Sequence, residues 1–267
     1  MTRRYRLITA ALALLLAVGL CACASGNAVQ PSPAPVSQEQ ENASPSIGDD
    51  ENEPAATPQQ PALPSSAEAT VTQVAAQYFA NIQNSANLYA AVEFKNESSV
   101  NAVVSSVSVT FKVDGKTVEQ TFTPPCADCD VIAPGAVSTV AGWFSFSGSA
   151  PKDAVTATAQ VSLKPVPLPQ QKPLDVSNLM IVQNYPSFAT VSGRVENTSE
   201  ETDYDLTMVY LNFYDAEGTL LGVQFFTKDL TVNAGDARDF VYHLRCLPIE
   251  GLTENTAEIT ARGMGIN

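Results

Sequence analysis

The chain has 267 residues, 45% of them apolar, which gives room for one or two domains with packed cores and is too apolar for disorder throughout. Its formal charge is −14, and removal of an N-terminal segment carrying Arg3, Arg4 and Arg6 would make it −14 − 3 = −17. That balance argues against nucleic acid or anionic headgroups as partners, because both need a positive surface, and a single histidine, His243, leaves the usual acid–base residue nearly absent.

The chain opens with "MTRRYR", a basic stretch, followed by an apolar stretch of fourteen residues from Leu7 to Leu20. That run is too short to span a hydrocarbon core comfortably and reads as a signal peptide over residues 1–22. Leu20, Cys21, Ala22 and Cys23 resemble the lipobox of bacterial lipoprotein precursors, with a branched apolar residue three before the cysteine and a small one just before it. Cys21 inside the box departs from the usual small or branched residue. The resemblance implies cleavage after Ala22, diacylation of the Cys23 thiol and stable anchoring by two acyl chains. Ordinary secretory cleavage at Ala22-Cys23-Ala24, or an uncleaved signal acting as the anchor, are the alternatives.

Residues 23–66 form the next segment. From Ala24 to Ser66 the chain is Pro, Ser, Ala, Gln, Asn and acids, with no Lys or Arg and almost no large apolar residue. Such a composition cannot bury enough surface to offset its ordering entropy, so a disordered tether is expected. As a flexible coil, these 43 residues would span roughly 35 to 40 Å.

The remainder repeats at a spacing of about 100 residues, suggesting two domains, 67–165 and 172–267. "YFANIQN" (78–84) pairs with "LMIVQNY" (179–185), "VEFKNESS" (92–99) with "GRVENTSE" (193–200), "TFKVDGK" (110–116) with "NFYDAEGT" (212–219), and "VIAPG" (131–135) with "TVNAG" (231–235). The seam is "KPVPLPQQKP", Lys164 to Pro173, whose four prolines oppose a regular element and predict a short stiff connector.

Each repeat reads as strands. Val107, Val109, Phe111 and Val113 alternate with Ser106, Ser108, Thr110 and Lys112, the period of a sheet with one wet face. Residues 154–163 alternate in the same way, and in 239–244 Phe240, Tyr242 and Leu244 share one face. Six or seven strands in about 95 residues predict an all-β fold, two tandem β-sandwiches of immunoglobulin-like architecture. The disulfide and tryptophan pattern of antibody domains is missing.

Between two strand patterns, "DAEG" (215–218) offers Asp215 and Glu217 either to a cation or to a turn. The first repeat has Asp114 and Gly115 at the matching place without a second carboxylate, so the shared feature is a hairpin turn with glycine at positive φ. Two side chains also fall short of the six to eight oxygens typical of a Ca²⁺ site; whether Asp203 and Asp205 add theirs is not readable from spacing.

Gly193 to Asn197, then "LNFYDAEGTLLG" (211–222) and "VNAGDARDFVYHL" (232–244), resemble the FxLYD domain of extracytoplasmic bacterial lipoproteins. Leu211 and Phe213 occupy its two apolar positions in exchanged order, Tyr214 and Asp215 are intact, and Gly218 closes the turn. The first repeat lacks the Tyr-Asp pair. The resemblance implies a sandwich fold and a surface location, and carries no catalytic residues.

Cys126 and Cys129, in "PPCADCD", read first as a local structural disulfide, with free thiols or a redox pair as alternatives. Asp128 and Asp130 beside them would oppose the thiolate that redox chemistry needs. Adding His243 and Cys246 would complete a zinc ligand set, but the pairs lie in different repeats, and His243 is expected to face solvent if Phe240 and Tyr242 face inward. Cys246 reads as a small buried hydrophobe. Trp143 is expected in a core rather than on a sugar-binding platform, and the adjacent Phe225 and Phe226 place one phenyl ring outward, a hint of a contact surface.

Phosphate-binding, dinucleotide, serine-elbow and zinc-helix motifs are absent from the sequence. The expectation is a lipid-anchored, non-enzymatic binding or scaffold protein on the extracytoplasmic side of the bacterial cell membrane, without cofactor or metal. Its partner would be an envelope protein or polysaccharide. The alternatives are an envelope hydrolase, a CxxC redox protein or a solute-binding lipoprotein.

Overall fold

The computed structural model describes residues 63–80, 86–125, 130–167, 173–185, 188–244 and 251–266, and leaves undescribed the side chains of residues 80, 183–185 and 188. All of these belong to one compact unit, Pro58–Asn267. The signal segment, Cys21, Cys23, nearly all of the tether, Cys126, Cys129 and Cys246 lie outside the described residues.

The fold is all-β and sandwich-type. The first half supplies β1 (Ala69–Ala80), β2 (Ala86–Asn96), β3 (Ala102–Val113), β4 (Lys116–Phe122), β5 (Val137–Ser145) and β6 (Thr156–Pro165). The second supplies β7 (Asp175–Tyr185), β8 (Phe188–Glu196), β9 (Leu206–Tyr214), β10 (Leu220–Lys228), β11 (Ala237–Leu244) and β12 (Glu258–Ile266), with one helical turn, Leu252–Asn255, before the last strand. Strand order is β1-β2-β5 and β4-β3-β6 in the first half, and β7-β8-β11 and β10-β9-β12 in the second. The connectivity is the same strand for strand, and every strand pair is antiparallel.

The alternation read from β3 is the alternation observed: Val107, Val109, Phe111 and Val113 are buried, with Ser108 and Lys112 exposed between them. Its hairpin to β4 turns on Asp114 and Gly115, both at positive φ (47° and 75°), the geometry that makes a two-residue loop follow the twist of the strands. In β11, Phe240 and Leu244 are buried, Tyr242 is partly so, and His243 is exposed.

One expectation at the seam is corrected. The strand β6 runs on through Lys164 into Pro165, which pairs with Ala102. It is the last residue of an edge strand, where a missing N–H breaks no interior ladder.

Each half has its own apolar core. Leu88, Val92, Phe94, Val107 and Phe111 centre the first, and Val191, Val209, Leu211, Phe213 and Phe240 the second. A third cluster joins the halves: Tyr89, Ala91 and Ala141 meet Met208, Tyr210, Leu220, Val223 and Met264. The four sheets therefore lie in series, β4-β3-β6, then β1-β2-β5, then β10-β9-β12, then β11-β8-β7. The two inner sheets are covered on both faces, which is why Leu88–Val92 and Thr207–Phe213 are buried without alternation.

Candidate functional site

The polar side chains that the fold gathers most densely lie at the joint between the inner sheets. In β2, even-numbered residues from Leu88 to Phe94 face the first core, so Tyr89, Ala91 and Glu93 must face the second half. In β9, Val209, Leu211 and Phe213 face the second core, which turns Met208, Tyr210, Asn212 and Tyr214 toward the first half.

The Tyr89 hydroxyl donates to the carbonyl of Val223 and accepts from its amide, both at 2.7 Å. Gln73 does likewise at the entry to β10: its amide donates to the Gly218 carbonyl in the preceding turn at 3.1 Å and its oxygen accepts from the amide of Leu220, the first residue of the strand, at 2.7 Å. Since β10 is an edge strand, these two side chains of the first half satisfy backbone groups that would otherwise form an open edge. Glu93 accepts from the Tyr214 hydroxyl at 2.8 Å and from Thr72 at 2.7 Å. Thr139 donates to Asn212, which donates to Thr260 at 3.0 Å.

At the other side of the joint, Arg262 of β12 pairs with Asp130 at 2.6 Å and donates to Ser138 at 2.6 Å. Its guanidinium lies 4.6 Å from the centroid of the Tyr210 ring, a cation–π contact. Burial pushes the Asp130 carboxyl above its ordinary range, and Arg262 offsets part of that rise. Burial, reinforced by the Asp130 charge, pushes the Tyr210 phenol up to about 12. Tyr89 is raised by burial, and Tyr214 by burial and by its bond to Glu93.

The turn residues have structural partners. Asp215 Oδ1 accepts from the amides of Glu217 at 3.0 Å and Thr219 at 2.7 Å, and Gly218 sits at φ +77°. Asp114 Oδ1 accepts from the amides of Lys152 at 3.0 Å and Asp153 at 3.3 Å. Asp203 accepts from the Ala234 amide at 2.8 Å. Among the described residues, no three His, Cys, Asp or Glu are grouped so as to hold a metal ion. His243 lies 3.1 Å from Thr190 on the exposed face of β11.

Trp143 and Phe225, which the structure shows to be the outward one of the two adjacent phenylalanines, meet at the joint. Trp143 packs at a tilt against Tyr89 (5.3 Å between ring centroids) and edge-to-face against Phe225 (5.9 Å), and Phe225 also packs on Tyr210 at 5.7 Å. Phe226 points the other way, into the second core. The contact surface for Phe225 is thus the chain's own first half.

Two residues were passed over in the motifs. Asn96 and Asn197, in "KNES" and "ENTS", are both buried. Asn96 donates to the carbonyls of Val100 and Ile132 at 3.0 Å and accepts from the Ser98 amide at 3.1 Å. Asn197 donates to Thr202 at 2.7 Å and Val232 at 3.0 Å and accepts from the Ser199 amide at 3.0 Å. Their recurrence at one place in both repeats was the available signal.

Compared with known proteins, the chain matches no family model and no curated protein. What the fold and the joint define is a class, an all-β sandwich-type protein whose four sheets are stacked in series.

Proposed function

We propose that the chain is a lipid-anchored, non-enzymatic binding or scaffold protein of the bacterial cell envelope. It stands on the extracytoplasmic side as two tandem immunoglobulin-like sandwiches of FxLYD type. The observation that carries the reading is the lipobox-like run Leu20 to Cys23, placed at the end of an apolar stretch that follows a basic one. An acidic tether poor in apolar residues then spaces the folded part from the membrane surface.

The joint adds support of a different kind. Side chains that draw attention as chemistry, among them Asp130, Asp215 and Tyr214, are each engaged in holding turns or sheets together. Such a molecule presents rigid sheet faces and loops to a partner, an envelope protein or polysaccharide, and works by binding. On this reading Cys126 and Cys129 form a local disulfide suited to an oxidising compartment.

The test is metabolic labelling of cells with a palmitate analogue, comparing the natural chain with Cys23→Ser. Label on the natural chain and its loss in the variant, with release from the membrane fraction, is the expected result. An unlabelled natural chain, or label that survives the substitution, overturns the anchor. Crosslinking on intact cells then identifies the neighbour, and turnover of an envelope substrate by the purified chain would overturn the non-enzymatic reading.

A further inference from the structure

The internal duplication brings out a contrast between equivalent faces. In the first half, the outward face of β1-β2-β5 carries two adjacent cross-strand rows, Ala75–Ala91–Ala141 and Gln77–Tyr89–Trp143. The second half covers it. The equivalent sheet of the second half carries Met180–Ser192–Val241 and Val182–Thr190–His243 in the same rows. Among the described residues, no sheet is laid over that face. Met180 is 58% exposed, Val182 45% and Val241 52%. Five large hydrophobic residues are exposed among the described ones, and three of them sit together here.

The opposite end of the stack differs. The outward face of β4-β3-β6 presents the rows Thr121–Ser108–Gln160 and Glu119–Thr110–Thr158, a polar cap. A head-to-tail chain of molecules would press the apolar end of one copy onto this polar end of the next, desolvating hydroxyls and a carboxylate without partners. Two copies meeting apolar end to apolar end avoid that cost, and such a contact closes on itself by a two-fold axis. The neighbouring row suits it, because Arg194 and Asp239, paired at 3.0 Å within one copy, place both charge signs on the same patch.

We propose that the outer face of β7-β8-β11 is a homodimer surface, occupied by the same face of a second copy and centred on Met180, Val182 and Val241. The inference does not depend on the lipid anchor. Three rows across three strands give a footprint of roughly 300 Å² per copy. Two copies would together bury roughly 600 Å², below the standard size of a specific interface, so the dimer is weak and depends on concentration.

The experiment is sedimentation of the whole chain in density-matched nonionic detergent over a concentration range up to about 100 μM. The natural chain is compared with Met180→Glu/Val241→Glu, with the milder Met180→Gln/Val241→Thr, and with Ser108→Glu at the polar end. A concentration-dependent dimer is expected, weakened at least about tenfold by the glutamate pair, less by the milder pair, and not by Ser108→Glu. Thermal melting of each variant verifies folding, and the milder pair decides the matter if the glutamate pair does not fold. A natural chain that stays monomeric, a dimer indifferent to the apolar-face substitutions, or open-ended growth sensitive to Ser108→Glu would overturn the proposal. Monomers that instead capture a different protein through this face would overturn it as well.

Discussion

The hydroxyl of Tyr89 in β2 holds both backbone groups of Val223 in β10, donating to one and accepting from the other at 2.7 Å. One side chain thereby seals an edge strand of the other half and fixes the register of the two inner sheets. Tyr89→Phe keeps the ring against Trp143 but leaves a buried amide and carbonyl without partners. A loss of about 2 kcal/mol is expected, read from the midpoint of denaturant unfolding.

Asn96 and Asn197 occupy the same place in the two halves and bond the same kinds of backbone group, so their removal should cost alike. Asn96→Ala and Asn197→Ala are each expected to lower stability by about 3 kcal/mol, close to the sum of the bonds lost and the carbonyls stranded. Equilibrium unfolding of the two variants checks it. A large cost in one half and none in the other would mean that the duplication is not structural.

Tyr214 and Glu93 tie the hairpin end of β9 to β2 at 2.8 Å. A double-mutant cycle of Tyr214→Phe and Glu93→Gln should give a coupling of about 1 kcal/mol, as for a hydrogen bond to a charged, partly exposed acceptor. Additive effects would show that the bond contributes nothing across the joint.

Asp215 acts as a turn acceptor for two amides. Asp215→Asn keeps an acceptor oxygen and is expected to cost little, whereas Asp215→Ala should cost about 1 kcal/mol. Millimolar Ca²⁺ should leave the melting temperature of the natural chain unchanged. A rise in melting temperature that vanishes in Asp215→Asn would instead point to a cation site.

Four of the chain's eight tyrosines, Tyr89, Tyr204, Tyr210 and Tyr214, are held by burial above the ordinary phenol value of 10.0 in the folded state. Their raised values favour the neutral form, so the stability they confer is full below pH 10 and is lost as pH rises through about 12, the value for Tyr210. Ultraviolet titration should show a late group of phenols ionising together with loss of structure. Smooth ionisation of all tyrosines near the ordinary value, with the fold intact, would contradict their burial.

Much of the sandwich architecture was legible because period-two alternation responds to a single buried face. The strands β3 and β11 have one such face, and their inward residues were read correctly. The hairpin turns were legible for a local reason as well, since Asp-Gly and a positive-φ glycine are demanded by the backbone itself. The joint was not read, although the continuous apolar runs Leu88–Val92 and Val209–Leu211 signal strands buried on both sides. The adjacent Phe225 and Phe226 showed that one ring must face outward, but nothing local names which of them it is or the surface that it meets.

The sequence alone therefore determined an all-β chain and its turns, because those depend on neighbours two to four residues away, and its repeat, because similar short stretches recur in the same order about 100 residues on. Only the tertiary structure decided that Arg262 reaches Asp130, that Gln73 and Tyr89 close the edge of β10, and that one end of the stack is polar and the other apolar. Those contacts join residues more than a hundred positions apart. They follow from which sheet faces lie against one another, a choice made by shape and burial across the whole fold, which no local pattern encodes.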